Sequence, residues 1–303
     1  MKVAVTGSSA RLARTLLPLL ADDRRIDQII GIDWRDAVFD DPRFTQVLLD
    51  LRSAQVRRVL TEADAVVHLV LTEDTGAADR EQRVAGSHNI FRCAAAQCLS
   101  TLIHVSSAAV YSLPARERPI KEEHPRAALP GIALVAEQVE FEQWLDDFQA
   151  DCPDPRVVRL RPHLPVGTDA SAHLRWLRAP FHLKLRRAPR LQCVRESDVA
   201  RAIQAALFKN VDGAYNLACA DSATLRTMHR LRGGGLMPLP FALAHAGLKL
   251  ARRNAAWLEM LRHEIVLDTS RARRRLGWKP EYDSIEACLT ATAPEPEPDG
   301  RDR

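Results

Sequence analysis

Short runs of apolar residues alternate with amphipathic stretches through the first half of the chain. The runs have the length of β-strands, and the stretches between them carry apolar residues at helical spacing. The sequence predicts strands at 3–6, 28–33, 45–49, 64–70, 101–106 and 156–161. It predicts helices at 11–21, 53–61, 79–98 and 132–150. Strand–helix alternation of this kind is typical of a parallel sheet covered by helices on both faces.

The alternation becomes irregular after about residue 165, where proline, glycine and arginine are frequent. Helical stretches there are scattered, at 198–208, 238–262 and 284–291. We therefore predict an α/β fold, a Rossmann-like doubly wound parallel sheet in residues 1–165 that the strand near 156–161 completes. A small C-terminal α/β lobe, residues 166–292, is expected to interleave with the sheet edge. The acidic, proline-rich residues 293–303 predict a disordered tail.

Composition adds few constraints. The 303 residues are 46% hydrophobic, enough for one large core, and the net charge of +4 is mild. The basic segments 184–190 and 271–275 are interpreted as solvated faces, so no nucleic-acid partner is predicted. The six cysteines form no CxxC pair and have no histidine at zinc-ligand spacing. They are interpreted as reduced, mostly buried thiols, and no metal site is predicted.

Targeting signals are not evident in the hydropathy pattern. No uncharged run approaches the roughly 20 residues that a membrane span needs, and too few apolar residues follow Met1-Lys2 for a signal peptide. We expect a cytoplasmic protein without a membrane span. The apolar segment 233–253 ends in basic residues. A packed lobe helix is favoured there over a mobile cap or a membrane-surface contact, which stay open.

The stretch "VAVTGSSARLA", residues 3–13, predicts a strand, a tight turn and the start of a helix. Such a turn directs backbone N–H groups and the helix N-terminus at a bound anion, usually the pyrophosphate of a dinucleotide. The candidate residues for that contact are Thr6, Gly7, Ala10, Arg11 and Leu12.

Further candidates for cofactor contacts follow at the ends of the next strands. Asp33 closes the second strand at the distance expected of a carboxylate that holds the ribose hydroxyls. Asp50-Leu51 follow the third strand and could face an adenine, and His68-Leu69 end the fourth strand near the cofactor path.

These segments, with several later ones, resemble the motifs of one family. They are "VAVTGSSARLA" for TGxxGxxG, "DAVVHLV" for DxVxHLA, "RVAGSHNI" for NxxGTxN, "HVSSAAVY" for VSSxxVYG, "RLRP" for LRP, "DGAYNLA" for YNLG and "RRRLGWKPEY" for LGWxP. In this order they resemble the extended short-chain dehydrogenase/reductase family, also called the NAD-dependent epimerase/dehydratase family, over nearly the whole chain.

The resemblance implies a dinucleotide-binding Rossmann domain and a small substrate lobe. Members commonly act on nucleotide-sugars or other small alcohols and ketones, as oxidoreductases or epimerases. Asp33 favours NAD because a carboxylate repels a 2′-phosphate, although Arg35 leaves NADP open. Ala10 replaces the glycine at the pyrophosphate contact, and one added methyl group in a crowded contact costs about 1–3 kcal/mol. We expect weakened binding of the dinucleotide.

The resemblance also implies a catalytic tyrosine and, four residues later, a lysine that lowers the tyrosine pKa. The corresponding positions here are Ile132 and Ala136, and no Tyr or Lys lies between Lys121 and Lys184. Ser107 and Tyr111 remain as catalytic candidates, and Arg83 stands at the NxxGTxN asparagine.

Three interpretations stay open. The protein binds a nucleotide without ordinary hydride chemistry; or another acid (Tyr111, His104 or His68) has taken over; or nothing binds and the fold is a scaffold. The first is favoured, which makes a pseudoenzyme or a non-enzymatic dinucleotide sensor the alternative to an active oxidoreductase or epimerase. His104 and Tyr111 are more easily explained as a satisfied core histidine and a packed turn residue.

The helix at 132–150 carries two apolar stripes. Ile132, Val135 and Val139 lie on one stripe, and the other contains Leu134, Phe141, Leu145 and Phe148. Two stripes predict two buried faces. In the family that the chain resembles, this helix and the one at 79–98 form a four-helix dimer interface, so we expect a homodimer.

Overall fold

Parallel β-strands and helices alternate along the chain in the computed structural model, which describes residues 1–70, 80–167, 176–235, 237–250 and 256–291. The strands are β1 (Lys2–Thr6), β2 (Gln28–Asp33), β3 (Phe44–Leu48), β4 (Ala65–His68), β5 (Thr101–Val105), β6 (Arg156–Pro162), β7 (Pro165–Val166), β8 (Phe181–Lys184), β9 (Arg190–Leu191), β10 (Val194–Arg195), β11 (Gly213–Leu217), β12 (Ala223–Thr224) and β13 (Met237–Pro240). The helices are α1 (Arg11–Ala21), α2 (Val56–Leu60), α3 (Arg80–Ala96), α4 (Ala133–Asp151), α5 (Glu196–Phe208), α6 (Leu225–Leu231), α7 (Phe241–Leu250), α8 (Ala256–Met260) and α9 (Ile285–Thr290).

Seven of these strands form one parallel sheet with the order β11-β6-β5-β4-β1-β2-β3. Every residue of β4 and β5 is buried, as expected of a sheet that helices cover on both faces. One face packs on the apolar side of α1 and on α5, and the other face packs on α3 and α4. The predicted Rossmann-like α/β fold is confirmed.

The sheet does not end at β6. Strand β11, which comes from the segment predicted as the lobe, pairs in parallel with β6 and forms the sheet edge. Helix α5 packs against α1, and Trp278 is buried in the same core. Much of residues 166–292 therefore belongs to the Rossmann layers, because β11 and α5 repeat the strand–helix pattern of the first half. The predicted tail, 293–303, lies outside the described residues.

The predicted lobe helix 238–262 is interrupted at its start. Residues Met237–Pro240 form β13, which pairs in parallel with β8, and α7 begins only at Phe241. Pro238 and Pro240 lack an N–H donor and hold an extended backbone, which favours a strand over a helix interior. The described residues of α7 include no buried side chain, and Leu250 is 88% exposed. Within the described ranges, no helix combines the length and hydropathy of a membrane span.

Both apolar stripes of α4 are covered within a single chain. Phe141, Leu145 and Phe148 pack in the core under the sheet, and Ile132 and Val135 pack against the lobe. The stripes consequently need no second copy to be buried. The homodimer stays a prediction that rests on the family resemblance.

Candidate functional site

A cleft lies where β1, β2 and β4 end at the carboxyl edge of the sheet. The register pairs Thr6 with Ile32 on β2 and with His68 on β4, so the three segments leave the sheet at one level. The Gly7 N–H donates to the Ile32 carbonyl at 3.0 Å, and the Leu69 N–H donates to the Thr6 carbonyl at 2.9 Å. Doubly wound sheets bind their ligands at this edge.

Gly7 occupies a position that excludes a side chain. Its φ is +75°, and a Cβ there would lie 3.1 Å from both the Leu69 carbonyl carbon and the Val70 amide nitrogen. Conformation and contact both require glycine. Ala10, with a φ of −63°, precedes the first turn of α1 in an ordinary conformation. The first turn of a helix presents backbone N–H groups to an anion such as a pyrophosphate, so the position of this turn is compatible with a dinucleotide.

The cleft contains about half of the residues that the sequence predicted for the cofactor. Those that line it are Gly7, Ala10, Asp33, Arg35, Leu51 and Leu69. The lining also includes residues that the sequence analysis missed, namely Ser9, Arg14, Trp34, Asp36, Val38, Val70 and Arg83. Arg14 was detectable in principle, because it follows Ala10 by one helical turn and shares its face.

Asp33 connects the turn after β1 to the end of β2. Its Oδ2 accepts the Ser9 N–H at 3.0 Å and the Ser9 hydroxyl at 2.8 Å. Its Oδ1 accepts the N–H groups of Trp34 at 2.7 Å and Arg35 at 3.2 Å. A carboxylate has about four acceptor positions, so the chain itself uses them all. A ribose hydroxyl would have to replace the Ser9 hydroxyl.

Trp34 and Arg35 form a stacked pair beside Asp33. The Arg35 guanidinium carbon lies 4.0 Å from the centroid of the Trp34 ring, and the Trp34 side chain is 47% exposed. Both residues line the cleft. The pair presents an aromatic surface and a positive charge at the end of the cleft where Asp33 lies.

Thr6 and His68 lie beneath the cleft and form a buried hydrogen-bonded chain. His68 Nδ1 is 2.6 Å from the Thr6 hydroxyl, and its Nε2 is 2.8 Å from the Ser87 hydroxyl, which donates to the Arg83 carbonyl at 2.5 Å. Burial lowers the pKa of His68 well below its usual value, so the ring is neutral. Both ring nitrogens of His68 are therefore occupied, one linking β4 to β1 and the other linking β4 to α3.

Arg11, Leu12 and Asp50 also lie outside the cleft lining. Arg11 Nη1 is 2.5 Å from Glu196 Oε1 at the start of α5, and Leu12 is buried in the core. Asp50 pairs with Arg52 at 2.7 Å on the surface. The side chains of Arg11 and Leu12 are therefore directed to other contacts, although their backbone N–H groups remain in the first turn of α1.

Arg83, at the NxxGTxN asparagine position, links α3 to α4. Its Nε and Nη2 donate to the two carboxylate oxygens of Glu137 at 2.9 and 3.0 Å. Both side chains are buried, and Arg83 also lines the cleft. Bidentate pairs of this kind hold both partners in one geometry. Arg83 thus adds a fixed cation to the cleft wall.

The positions that the family resemblance assigns to the catalytic pair lie at the start of α4. Ile132 is 2% exposed and packs in the lobe-side core, and Ala136 is exposed one turn later. Ser107 follows β5, and its hydroxyl accepts the Ala109 N–H at 3.1 Å to cap a short 3₁₀ turn. Ile132 and Ala136 have no side-chain proton to transfer.

Tyr111 is part of a buried polar network rather than the cleft lining. Its hydroxyl donates to Asn216 Oδ1 at 2.6 Å and accepts from Arg161 Nη1 at 3.0 Å. Burial raises the pKa of Tyr111 to about 12. A general acid or base works best with a pKa near the ambient pH. This placement favours the packed-residue interpretation of Tyr111 over the catalytic one.

Glu142 is the anion at the centre of that network. It is fully buried, with Arg161 Nε 2.9 Å from Oε1 and Arg126 Nη1 3.0 Å from Oε2. Burial alone would raise the pKa of Glu142, but the charge and hydrogen bonds of Arg161 lower it to about 2. The carboxylate is therefore ionised and paired.

His104 on β5 is fully buried among rings, 4.9 Å from the Phe141 centroid and 5.8 Å from that of His68. Neither of its ring nitrogens has a hydrogen-bond partner within the part of the chain that the structure describes. The expectation of a satisfied core histidine is therefore wrong. Burial lowers its pKa to about 4, so the ring is neutral at pH 7.

Comparison with known families agrees with this geometry. The model of the NAD dependent epimerase/dehydratase family matches residues 3–218, from β1 to the end of β11. A relative described as an uncharacterized protein of Mycobacterium tuberculosis is 25% identical over 94% of this chain and 81% of its own length.

Solved structures share the fold at low identity. The UDP-glucose 4-epimerase of Thermotoga maritima with UDP-glucose has a TM-score of 0.75 and 16% identity, over 95% of this chain and 96% of that chain. The Thermus thermophilus UDP-glucose 4-epimerase complex with NAD has a TM-score of 0.73 and 19% identity, over 96% and 97%. A short-chain dehydrogenase/reductase superfamily protein of Agrobacterium tumefaciens with bound NAD has a TM-score of 0.74 and 17% identity, over 95% of each chain.

Proposed function

The chain belongs to the NAD-dependent epimerase/dehydratase family, and we propose that it binds NAD at the ends of β1, β2 and β4 without the family's usual acid–base chemistry. The observation that carries the proposal is the difference between the two ends of the site. Gly7 and Asp33 line the cleft, whereas Ile132 and Ala136, at the positions that the family resemblance assigns to the reacting pair, have no side-chain proton to transfer.

The residues of the cleft divide by the chemistry that they offer a dinucleotide. The N–H groups at the start of α1 bind the pyrophosphate, and the cations Arg14 and Arg83 border the same space. Asp33 accepts a ribose hydroxyl in place of the Ser9 hydroxyl. Leu51 and Trp34 offer apolar and aromatic surface to the adenine.

A bound nicotinamide would supply hydride transfer, which needs a partner group for the alcohol proton. Ile132 and Ala136 have no such proton. Tyr111 is buried with a pKa raised to about 12, and His68 is buried with both ring nitrogens bonded. Loss of a general acid or base costs roughly 10²–10⁴-fold in rate. We therefore expect the chain to bind and orient a nucleotide without transferring the alcohol proton.

The second candidate function is an active oxidoreductase or epimerase of the same family. The structural neighbours named as sugar-nucleotide epimerases support nucleotide-sugars as its substrate class, with small alcohols and ketones as further members. It would need an acid at another position. Ser107, half-buried after β5, is the most accessible of the catalytic candidates and would hydrogen-bond a substrate oxygen rather than serve as that acid. A cytoplasmic location and a homodimer are part of both proposals.

Calorimetric titration with NAD⁺, NADH and NADP⁺ tests the binding proposal. We expect NAD⁺ and NADH to bind, and NADP⁺ to bind more weakly because Asp33 repels the 2′-phosphate. Asp33→Asn should weaken NAD⁺ by about tenfold, which is about 1.4 kcal/mol. Asp50→Asn is the matched control, since this carboxylate lies outside the cleft lining and should leave the affinity within about twofold.

Ser9→Ala gives a sharper test of the Asp33 geometry. Removing the Ser9 hydroxyl leaves one Asp33 acceptor position for the ribose, so NAD⁺ affinity should rise or stay equal. A large loss of affinity would show that Ser9, rather than Asp33, is the residue that contacts the ribose. Absence of binding by all three nucleotides would contradict the proposal and favour the scaffold interpretation.

Turnover separates the two candidate functions. With NAD⁺ bound, we expect negligible oxidation, reduction or epimerisation over panels of nucleotide-sugars, alcohols and ketones. A rate within the ordinary enzymatic range, on the order of 1–10³ per second, would establish the active enzyme instead. If Ser107→Ala then abolished that rate while NAD⁺ binding persisted, Ser107 would be a catalytic residue.

A further inference from the structure

Three cysteines that are distant in sequence meet in the lobe. Cys193, Cys219 and Cys288 are all buried, and their Sγ atoms lie within 4.8 Å of one another. None of them lines the nucleotide cleft. The other cysteines, Cys93, Cys98 and Cys152, are at least partly exposed. The cluster is therefore a separate feature of the molecule.

Backbone pairing brings the first two cysteines together. Cys219 follows the end of β11, and its N–H donates to the Cys193 carbonyl at 2.8 Å. Cys193 immediately precedes β10, which pairs in parallel with β7. Cys288 comes from α9, whose first N–H, that of Ile285, donates to Asp221 Oδ1 at 2.6 Å. Elements from three parts of the chain thus position the thiols.

His163 adjoins this cluster between β6 and β7. Its N–H donates to the Leu217 carbonyl at 3.0 Å, two residues before Cys219, and the next residue, Leu164, accepts from the N–H that follows Cys193. His163 is 4% exposed, and its Nε2 has no hydrogen-bond partner among the residues described. A buried ring nitrogen without a partner costs about 1–3 kcal/mol, and a bond from Nε2 to a metal ion would remove that cost.

Asp221 also lies against the cluster, because Cys219 Sγ donates to the Asp221 carbonyl at 3.4 Å and to its Oδ1 at 3.6 Å. Asp221 is a weaker candidate as a ligand, because its Oδ1 already accepts the N–H of Ile285.

A buried cation contacts the backbone of α9 at Cys288. Arg195 is 6% exposed, and its Nη1 donates to the Cys288 carbonyl at 3.2 Å and to the Ala291 carbonyl at 3.3 Å. Three thiolates around a divalent ion leave a net charge of about −1. The guanidinium of Arg195 would offset it.

The separation of the thiols matches a tetrahedral metal site. Zinc–sulfur bonds of about 2.3 Å put neighbouring sulfurs roughly 3.8 Å apart in a tetrahedron. Sulfurs within 4.8 Å of one another need to move inward by at most about 1 Å to reach it. Three cysteines and one histidine are an established ligand set for structural zinc.

We propose that Cys193, Cys219 and Cys288 bind one Zn²⁺ ion that fastens α9 and the β10 segment to the edge of the central sheet. His163 lies outside the 4.8 Å thiol cluster, and its ring turns toward the thiols to become the fourth ligand when the metal binds. Thiol protons leave as the metal binds, and no redox step is involved. The site is independent of the nucleotide cleft, so the proposal stands whether or not NAD binds.

Metal content of the full-length, reduced protein is the first test. After exposure to micromolar Zn²⁺ and removal of loose metal, elemental analysis should find one zinc per chain. Replacement by Co²⁺ should give the visible absorption of a tetrahedral site and the near-ultraviolet sulfur-to-cobalt bands. A reduced wild-type protein without stoichiometric metal, and without these bands, would overturn the proposal.

Variants then identify the ligands. Cys219→Ser should weaken zinc, measured by competition with a chelator, by at least about 100-fold, since loss of even an outer partner of a ligand costs about 10–100-fold. Cys98→Ser is the matched control and should leave the affinity unchanged. Circular dichroism of each variant checks folding, and the Co²⁺ spectrum of the wild type provides a readout that does not depend on the variants.

A separate pair of variants tests His163 as the fourth ligand. His163→Ala should weaken zinc by about 10–100-fold and shift the visible Co²⁺ bands, whereas His104→Leu, at a buried histidine outside the cluster, should do neither. An unchanged spectrum in His163→Ala would overturn its assignment as a ligand. Equal loss of zinc in Cys98→Ser and Cys219→Ser would overturn the cluster itself.

Discussion

The nucleotide cleft and the buried network around Glu142 both contain charged side chains, but they use them differently. In the cleft, Arg14, Arg35 and Asp33 border an open space. In the network, Glu142 is enclosed by Arg161 and Arg126, and the Tyr111 hydroxyl bonds Asn216 and Arg161.

Under the proposed function, this difference explains how a family site keeps binding groups and loses reacting ones. Charges that border open space can exchange their partners for a ligand. Charges buried in a satisfied network are held by the cost of leaving any member unpaired. Tyr111 belongs to the second kind, and the proposed function follows from that distinction. Substitutions in the network should therefore affect folding, and those in the cleft should affect binding.

The largest effect is expected from Glu142→Gln. It leaves the Arg161 charge buried without its carboxylate, which should lower the free energy of unfolding by about 3–5 kcal/mol at pH 7. Denaturant unfolding measures the change. Glu259→Gln, which breaks an exposed pair with Arg262 at 2.7 Å, is the control and should cost less than about 1 kcal/mol.

The stability difference between wild type and Glu142→Gln should also depend on pH. Because the pKa of Glu142 is lowered to about 2 in the fold, its contribution is complete above its unfolded pKa and is lost as the pH falls toward 2. Wild type and Glu142→Gln should converge in stability over that acid range. A stability difference that stays constant with pH would show that the ionised carboxylate is not its cause.

His104→Leu should stabilise the protein, by about 1–3 kcal/mol at pH 7, because two buried nitrogens without described partners are removed. The pKa of His104 is lowered to about 4, so the wild type loses stability as the pH falls from about 6.5 to 4, where the unfolded histidine takes up a proton. The variant lacks this loss. Thermal unfolding at pH 7 and pH 5 should show a wider gap at pH 5, and a narrower one would contradict the assignment.

Tyr111→Phe should lower the free energy of unfolding by about 1–3 kcal/mol, since Asn216 and Arg161 each lose a buried partner. NAD⁺ affinity, measured by calorimetry on the folded variant, should stay within about twofold. A loss of affinity with unchanged stability would place the hydroxyl in the cleft and break the division between the two regions.

Gly7→Ala should lower the free energy of unfolding by an amount similar to Tyr111→Phe or less, but it should also weaken NAD⁺ binding. The positive φ costs an L-residue about 1–2 kcal/mol, and the new methyl group would meet Leu69 and Val70 at the base of the cleft. NAD⁺ affinity should fall by tenfold or more. Ala10→Gly is the companion variant, and the family motif predicts that it binds NAD⁺ more tightly than the wild type.

Local pattern was enough for the alternation of strands and helices. The predicted α1 at 11–21 and β2 at 28–33 have the observed bounds, because buried parallel strands and an amphipathic helix have distinct periods. Gly7 and Asp33 were also evident as candidate cofactor contacts, because each lies at the end of a predicted strand, where a dinucleotide site needs a tight turn and a carboxylate. Motif order, rather than any single motif, pointed to the family that the match over residues 3–218 shows.

Tertiary structure decided which polar groups are available and which are committed. The sequence alone determined that Asp33, His68 and Tyr111 follow or end strands. It did not show their hydrogen-bond partners, which are Ser9 for Asp33, Ser87 for His68 and, 105 positions away, Asn216 for Tyr111. The sequence also did not show that the thiols of Cys193, Cys219 and Cys288 lie close together. Local sequence encodes periodicity, whereas partners from distant segments depend on how strands and helices pack, which no spacing along the chain records.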